Sequence, residues 1–208
     1  MKVFFNFAYR AKPDRNESIQ TVVNFLKKKR IDVVSLEVQS YEDLLGKAVV
    51  KKFGESADRA NSDPRLHYQY VRKGMSIADA AILEVSDGDF RLGHEATLSL
   101  LLNKPVLCLS ETTDFSVYIL HPLFYTHRYT SQEDLKTSLE TFIDEYRRKF
   151  LHIRFNGYLS PEQKNFLDWY GMQTGKNASE VVRILINERI KENPDFLDRQ
   201  LENTSKSL

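Results

Sequence analysis

The stretch Ala78–Ser110, ADAAILEVSDGDFRLGHEATLSLLLNKPVLCLS, decides how this chain folds. It holds two short apolar runs, AAILEV and PVLCLS, too brief for helices and bounded by turn residues, which read as buried strands. Between them EATLSLLLNK carries apolar residues at helical spacing. The turn VSDGDFRLGHE, residues 85–95, therefore joins the carboxyl end of a strand to the start of a helix. Parallel sheets bind ligands at the carboxyl ends of their strands, where the first turn of the next helix points free N–H groups into the crevice. Glu95 is the carboxylate placed there, and it is the first candidate for chemistry. A carboxylate at a helix start also has a purely structural use, stabilising the helix dipole by up to about 1 kcal/mol.

The alternation continues on both sides. KVFFNF (2–7) and DVVSLEV (32–38) read as strands, and a short fifth strand is expected near HRYT (127–130). ESIQTVVNFLKKKR (17–30), YEDLLGKAVVKKFG (41–54) and SQEDLKTSLETFIDEYRRKF (131–150) carry the helical period. Strand and helix in alternation predict an α/β fold, a doubly wound parallel five-stranded sheet of the flavodoxin-like or Rossmann-like kind, over residues 1–148.

The pattern then changes. LHIRFNGYLS (151–160) is strand-like, and two helix-like stretches follow, PEQKNFLDWYGMQTGK and ASEVVRILINERIKE. Pro161 fits a first helical turn, Gly175 a position just past a helix, and Asn177 with Glu180 a capping box. One strand and two helices, residues 149–193, cannot bury a core alone, so the module is expected to pair with a second copy. Phe166, Trp169, Val181, Val182, Leu185 and Ile186 fit a shared dimer core. Residues 194–208 are polar and expected to fray.

Composition narrows the function. A chain of 208 residues, 41% hydrophobic and 12% aromatic, buries a proper core and is not disordered throughout. A net charge of +1 gives no overall bias towards nucleic acid, membrane or acidic partners. No apolar run approaches a membrane span, and MKVFFNFAYR lacks a signal-peptide pattern, so a cytoplasmic location is expected. The one cysteine, Cys108, lies inside a strand and reads as a small apolar residue. The five histidines show no zinc spacing, and VFFNFAYRAK lacks the glycines of a dinucleotide or P-loop turn. No metal and no cofactor are assigned.

The Ala78–Ser110 stretch resembles the nucleoside 2-deoxyribosyltransferases and their relatives, the deoxynucleoside monophosphate N-glycosidases. The likeness rests on Ala-Asp before a strand ending in Glu-Val, the turn length, Gly93-His94-Glu95, and Lys-Pro-Val-Leu into the next strand. It implies that Glu95 attacks C1′ of a deoxyribose, that the base leaves, and that water or a second base resolves the glycosyl-enzyme. It also implies a ligand crevice lined by Asn6, Tyr9, Arg10, Asp89 and Arg91. Arg10 matches the hydrolase branch; Asp89 stands where the transferases have an acidic residue on the sugar and the hydrolases a serine on the 5′-phosphate. Asp89 would repel a phosphate and Arg91 would attract one. Both also fit an exposed turn pair.

Two departures matter. Phe7 occupies the family's glycine position, and the aspartate expected near Tyr70 and Val71 is missing, although base departure ordinarily needs a proton donor. The C-terminal module resembles the ribbon-helix-helix unit. That likeness implies a homodimer whose strand residues His152, Arg154 and Asn156 share one face, which either touches duplex DNA or stays solvated in a module that only dimerises; the acidic residues Glu162, Asp168, Glu180 and Glu188 offset most of its basic charge. Two functions stay open: an N-glycosidase or 2-deoxyribosyltransferase acting on a nucleoside or nucleotide, and a non-catalytic nucleotide sensor that binds DNA.

Overall fold

The structure, a computed structural model, describes residues 1–8, 12–54, 63–150, 155–193 and 195–196. The chain divides into two compact units, Met1–Arg154 and Phe155–Leu208.

The first unit is built on five parallel strands: β1 (Lys2–Phe7), β2 (Asp32–Val34), β3 (Ala80–Glu84), β4 (Val106–Ser110) and β5 (Phe124–Arg128). Their order across the sheet is β2-β1-β3-β4-β5, with every pair parallel. This is the doubly wound, flavodoxin-like arrangement, whose crevice opens where the order reverses, between the ends of β1 and β3. Asn6 pairs with Leu83 and Phe7 with Glu84 at that point.

Alternation along β1 sends Val3, Phe5 and Phe7 to one face and Phe4, Asn6 and Ala8 to the other. The first face packs on α1 (Lys12–Lys28) and α6 (Gln132–Phe150), through Ile19, Val22, Leu26, Leu135, Leu139 and Phe142. The second packs on α4 (Pro64–Ile77) and α5 (Phe90–Leu101), through Tyr70, Val71, Met75, Leu92 and Ala96. Helix α4 lies unusually close to β1: a Cβ on Gly74 would stand 2.6 Å from the Phe4 ring. The far end of α4 is tied down by Lys104, whose Nζ donates to the carbonyls of Met75, Ser76 and Ala78 at 2.5–2.8 Å.

Several local expectations are corrected. Strand β2 stops at Val34, because the buried Ser35 carbonyl accepts from the N–H groups of Val38 and Gln39 at 3.0 Å and turns the chain. The helix expected over residues 41–54 is two short ones, α2 (Tyr41–Leu45) and α3 (Lys47–Val50). Gly46 breaks it, with φ of 84° and ψ of 148°, a conformation that only glycine adopts at little cost. Strand β5 begins at Phe124, three residues before the stretch expected. Helix α5 starts at Phe90 rather than at Glu95, capped by Asp89, whose side chain accepts from the Arg91 N–H. Asp79, between α4 and β3, accepts at Oδ2 from the Lys2 N–H at 2.7 Å and pins β1 beside β3.

The second unit holds α7 (Pro161–Thr174) and α8 (Ala178–Lys191). Pro161 opens α7 under a Ser160–Gln163 capping box, Gly175 ends it with a φ of 67°, and Asn177 with Glu180 forms the capping box of α8. Leu167, Gly171 and Val181 are buried in this unit, whereas Phe166, Trp169, Met172 and Ile186 are exposed. Residues 155–160, the second half of the expected strand, carry no strand pairing within the single chain; residues 151–154, with His152 and Arg154, lie outside the described residues.

Candidate functional site

Helical spacing brings Leu92, Glu95, Ala96 and Ser99 to the buried face of α5. Glu95 is thus a second-turn residue facing the sheet, 3% exposed, and not a first-turn carboxylate serving the helix dipole. Asn6, buried on the same face of β1, meets it. The Asn6 Nδ2 group donates to both Glu95 oxygens at 2.9 Å. His67, in the first turn of α4, places its Nε2 3.9 Å from Glu95 Oε1. Its Nδ1 lies 3.1 Å from the Tyr41 hydroxyl of α2. Tyr41 packs edge-on against Tyr70, at 5.3 Å between ring centres, and Gln39 Nε2 donates to the Tyr70 hydroxyl at 3.4 Å.

Burial sets the electrostatics. Desolvation, aided by the charge of Asp89, pushes the Glu95 carboxyl up to about 7, against the Asn6 hydrogen bonds and the positive charge of Arg91. Desolvation and Arg91 pull the His67 imidazole down, with Asp89 acting the other way. The Tyr70 hydroxyl, also desolvated, is pushed up to about 12 and is a neutral donor at any working pH. A carboxyl that titrates near neutrality beside an imidazole can hold or release a proton under ordinary conditions, the property expected of acid–base and nucleophilic groups.

Of the residues singled out from sequence, Asn6 and Glu95 are brought into direct contact. Asp89 and Arg91 form a two-pronged ion pair, with Arg91 Nη2 2.6 Å from Asp89 Oδ2, so the exposed-turn alternative accounts for their mutual contact. Arg91 still acts electrostatically on Glu95, His67 and Tyr41. Tyr9 and Arg10 lie outside the described residues. Phe7 does not fill this pocket; it belongs to the core on the opposite face, beside Phe5. Cys108 is buried, and desolvation pushes its thiol up to about 12, which leaves it unreactive. His94 is exposed on α5, against the Tyr68 ring. Asn156 is exposed, outside any helix or strand.

His67 and Tyr41 are the members that motif spacing does not announce. A signal exists for His67: it lies three and four residues before Tyr70 and Val71, on the apolar stripe of α4. Tyr41 has none, since 26 positions separate it from His67 and no spacing links the two.

Fold and site together define an α/β protein with a buried, near-neutral carboxyl and an imidazole at the switch point of a parallel sheet. No protein-family model and no curated protein sequence matches the chain. Among solved structures it is similar to the CMP N-glycosidase BcmB of Clostridium botulinum, at 14% identity and a TM-score of 0.47, over 68% of this chain and 99% of that one.

Proposed function

We propose that the first unit binds a nucleoside or nucleotide in the crevice between the ends of β1 and β3, and cleaves or transfers its N-glycosidic bond with Glu95 as nucleophile. The observation that carries this reading is the setting of Glu95. It is a carboxyl buried at the ligand-binding end of a doubly wound sheet, held by both oxygens to Asn6, with no fixed cation neutralising it at hydrogen-bond distance among the described residues. A carboxyl kept there without such a cation costs stability, a cost that a role in chemistry explains and a role in packing does not. The Gly93-His94-Glu95 turn and its flanks supply the resemblance to the deoxyribosyltransferases and N-glycosidases. The expected chemistry is attack of Glu95 on C1′, departure of the base, and release of the sugar to water or a second base. No cofactor is required.

The test is release of free base from a panel of 2′-deoxynucleosides and their 5′-monophosphates, followed by chromatography, with Glu95→Ala in parallel. Release that disappears in the variant supports the reading; no release from any member of the panel overturns it. The DNA-binding regulator draws no support from the described part of the second unit. No helix among the described residues is long and apolar enough to cross a membrane.

A further inference from the structure

We propose that His67 is the proton-transfer residue of the site, taking the proton of Glu95 and handing it to the departing base, and that Tyr41 is the positioning residue that keeps its ring in the required tautomer. This rests on the glycosidase reading above.

The argument starts from a chemical need. A base that leaves as an anion is a poor leaving group, so cleavage asks for a proton as well as a nucleophile. The nucleophile has the opposite need. Glu95 titrates near 7 in its buried setting, so an appreciable share is protonated at neutral pH and must lose its proton before it can attack. One group that accepts the first proton and donates the second meets both needs.

His67 is placed for that task. Its Nε2 is 3.9 Å from Glu95 Oε1, and its side chain is 16% exposed. The other ring nitrogen, Nδ1, is 3.1 Å from the Tyr41 hydroxyl. With Nδ1–H donating to the Tyr41 oxygen, the Nε2 lone pair faces Glu95, and the same hydrogen bond stabilises the ring once Nε2 is protonated. The charged groups that act on the imidazole from α5 are Arg91, which disfavours its cation, and Asp89, which favours it. Those groups partly offset one another, since Arg91 and Asp89 are paired. Tyr41 is itself fixed by its edge-on packing against Tyr70 and His67.

The steps balance. The Glu95 proton passes to Nε2 once substrate binding closes the 3.9 Å gap to hydrogen-bond reach; the carboxylate oxygen bonds to C1′ while the bond from C1′ to the base nitrogen breaks, and its electron pair leaves with the base. The Nε2 proton neutralises the base. Water then attacks C1′, its proton goes to Nε2, and the ester bond breaks with its electron pair returning to Glu95. The pair again holds the one proton it began with.

The experiment compares two leaving groups at pH 7, where about half of Glu95 is ionised and needs no acceptor while the other half still carries the proton that His67 hands on. One substrate is an ordinary 2′-deoxynucleoside that the protein cleaves. The other carries a base of the same class that departs without a proton, 7-methylguanine for a purine or 5-nitrouracil for a pyrimidine. His67→Gln is expected to lose about 10²- to 10⁴-fold on the ordinary substrate and to stay within a few-fold of wild type on the activated one. Tyr41→Phe is expected to show a smaller loss with the same selectivity. Should His67→Gln be unstable, His67→Ala with added imidazole replaces it, and recovery is expected on the ordinary substrate only. Equal losses on both substrates overturn this proposal and leave the glycosidase reading standing; a wild-type protein that releases neither base overturns that reading and this one with it.

Discussion

Two buried glutamates stand near the carboxyl ends of the same sheet, on opposite faces, and their neighbourhoods differ. Glu84, the last residue of β3, is 1% exposed and faces α1 and α6. It accepts from the Ser86 hydroxyl and from the Tyr129 hydroxyl at 3.1 Å, with the positive charge of Arg15 acting on it. Arg15 in turn pairs with Glu111 and lies 3.6 Å from Asp87, while Ser86 Oγ accepts from the Glu111 N–H at 2.9 Å. This network joins α1 to the segments that leave β3 and β4. Glu95 has instead one amide donor and an imidazole at 3.9 Å. Burial raises both carboxyls above their ordinary range. The lesson is that depth alone does not mark a reactive group; what separates the two is whether the neighbours fix the proton or allow it to move.

The comparison breaks most visibly at the level of activity. Glu95→Ala is expected to lower base release by on the order of 10⁴-fold, as loss of a nucleophile does, whereas Glu84→Gln is expected to stay within about tenfold of wild type; parallel chromatographic assays of the two variants check this. Comparable losses would mean that the Glu84 network also belongs to the site.

A pH series of chemical denaturation sharpens the contrast. The folded-state pKa of Glu95, about 7, lies above the ordinary 4.5, so the folded protein binds this proton more tightly than the unfolded chain. The resulting stabilisation is fully present below about pH 4.5 and is lost as the pH rises to 7. Glu95→Gln abolishes that loss, so its stability relative to wild type is expected to climb across this window, reaching on the order of 3 kcal/mol at pH 8. A flat difference would refute the raised pKa.

For Glu84 the expected sign is reversed. Glu84→Ala leaves the Tyr129 and Ser86 hydroxyls without their acceptor and is expected to destabilise the fold by about 2 kcal/mol at neutral pH, read as a lower denaturation midpoint.

The smallest effect belongs to Gly74→Ala. The new methyl group would press on Phe4 and lift α4, which carries His67, at a cost of about 2 kcal/mol, offset by about 1 kcal/mol of helix propensity. A net loss near 1 kcal/mol is expected, with base release reduced severalfold; an unchanged rate would show that His67 tolerates movement of its helix.

Sequence by itself determined the architecture of the first unit. Brief apolar runs and amphipathic stretches alternate from Lys2 to Phe150, and a period of two or of 3.6 is a local property that needs no partner to be read. The caps at Pro161, Gly175, Asn177 and Glu180 are local for the same reason, since each satisfies backbone groups within four residues. Sequence also picked out Glu95, through a strand-to-helix turn, and Asn6, as a lining residue of the crevice that the resemblance implies.

Tertiary structure alone decided what surrounds that carboxyl. Glu95 lies 89 positions from Asn6, and His67 and Tyr41 come from two further helices, so only the packing of α2, α4 and α5 on β1 could bring the four together. It decided too which face of β1 Glu95 would meet: α5 packs on the side that carries Asn6, which leaves Phe7 to the core on the other side. The physical reason is common to both. Backbone periodicity is set by neighbours in the chain, whereas desolvation and the position of a proton depend on groups that meet only when the sheet closes over its helices.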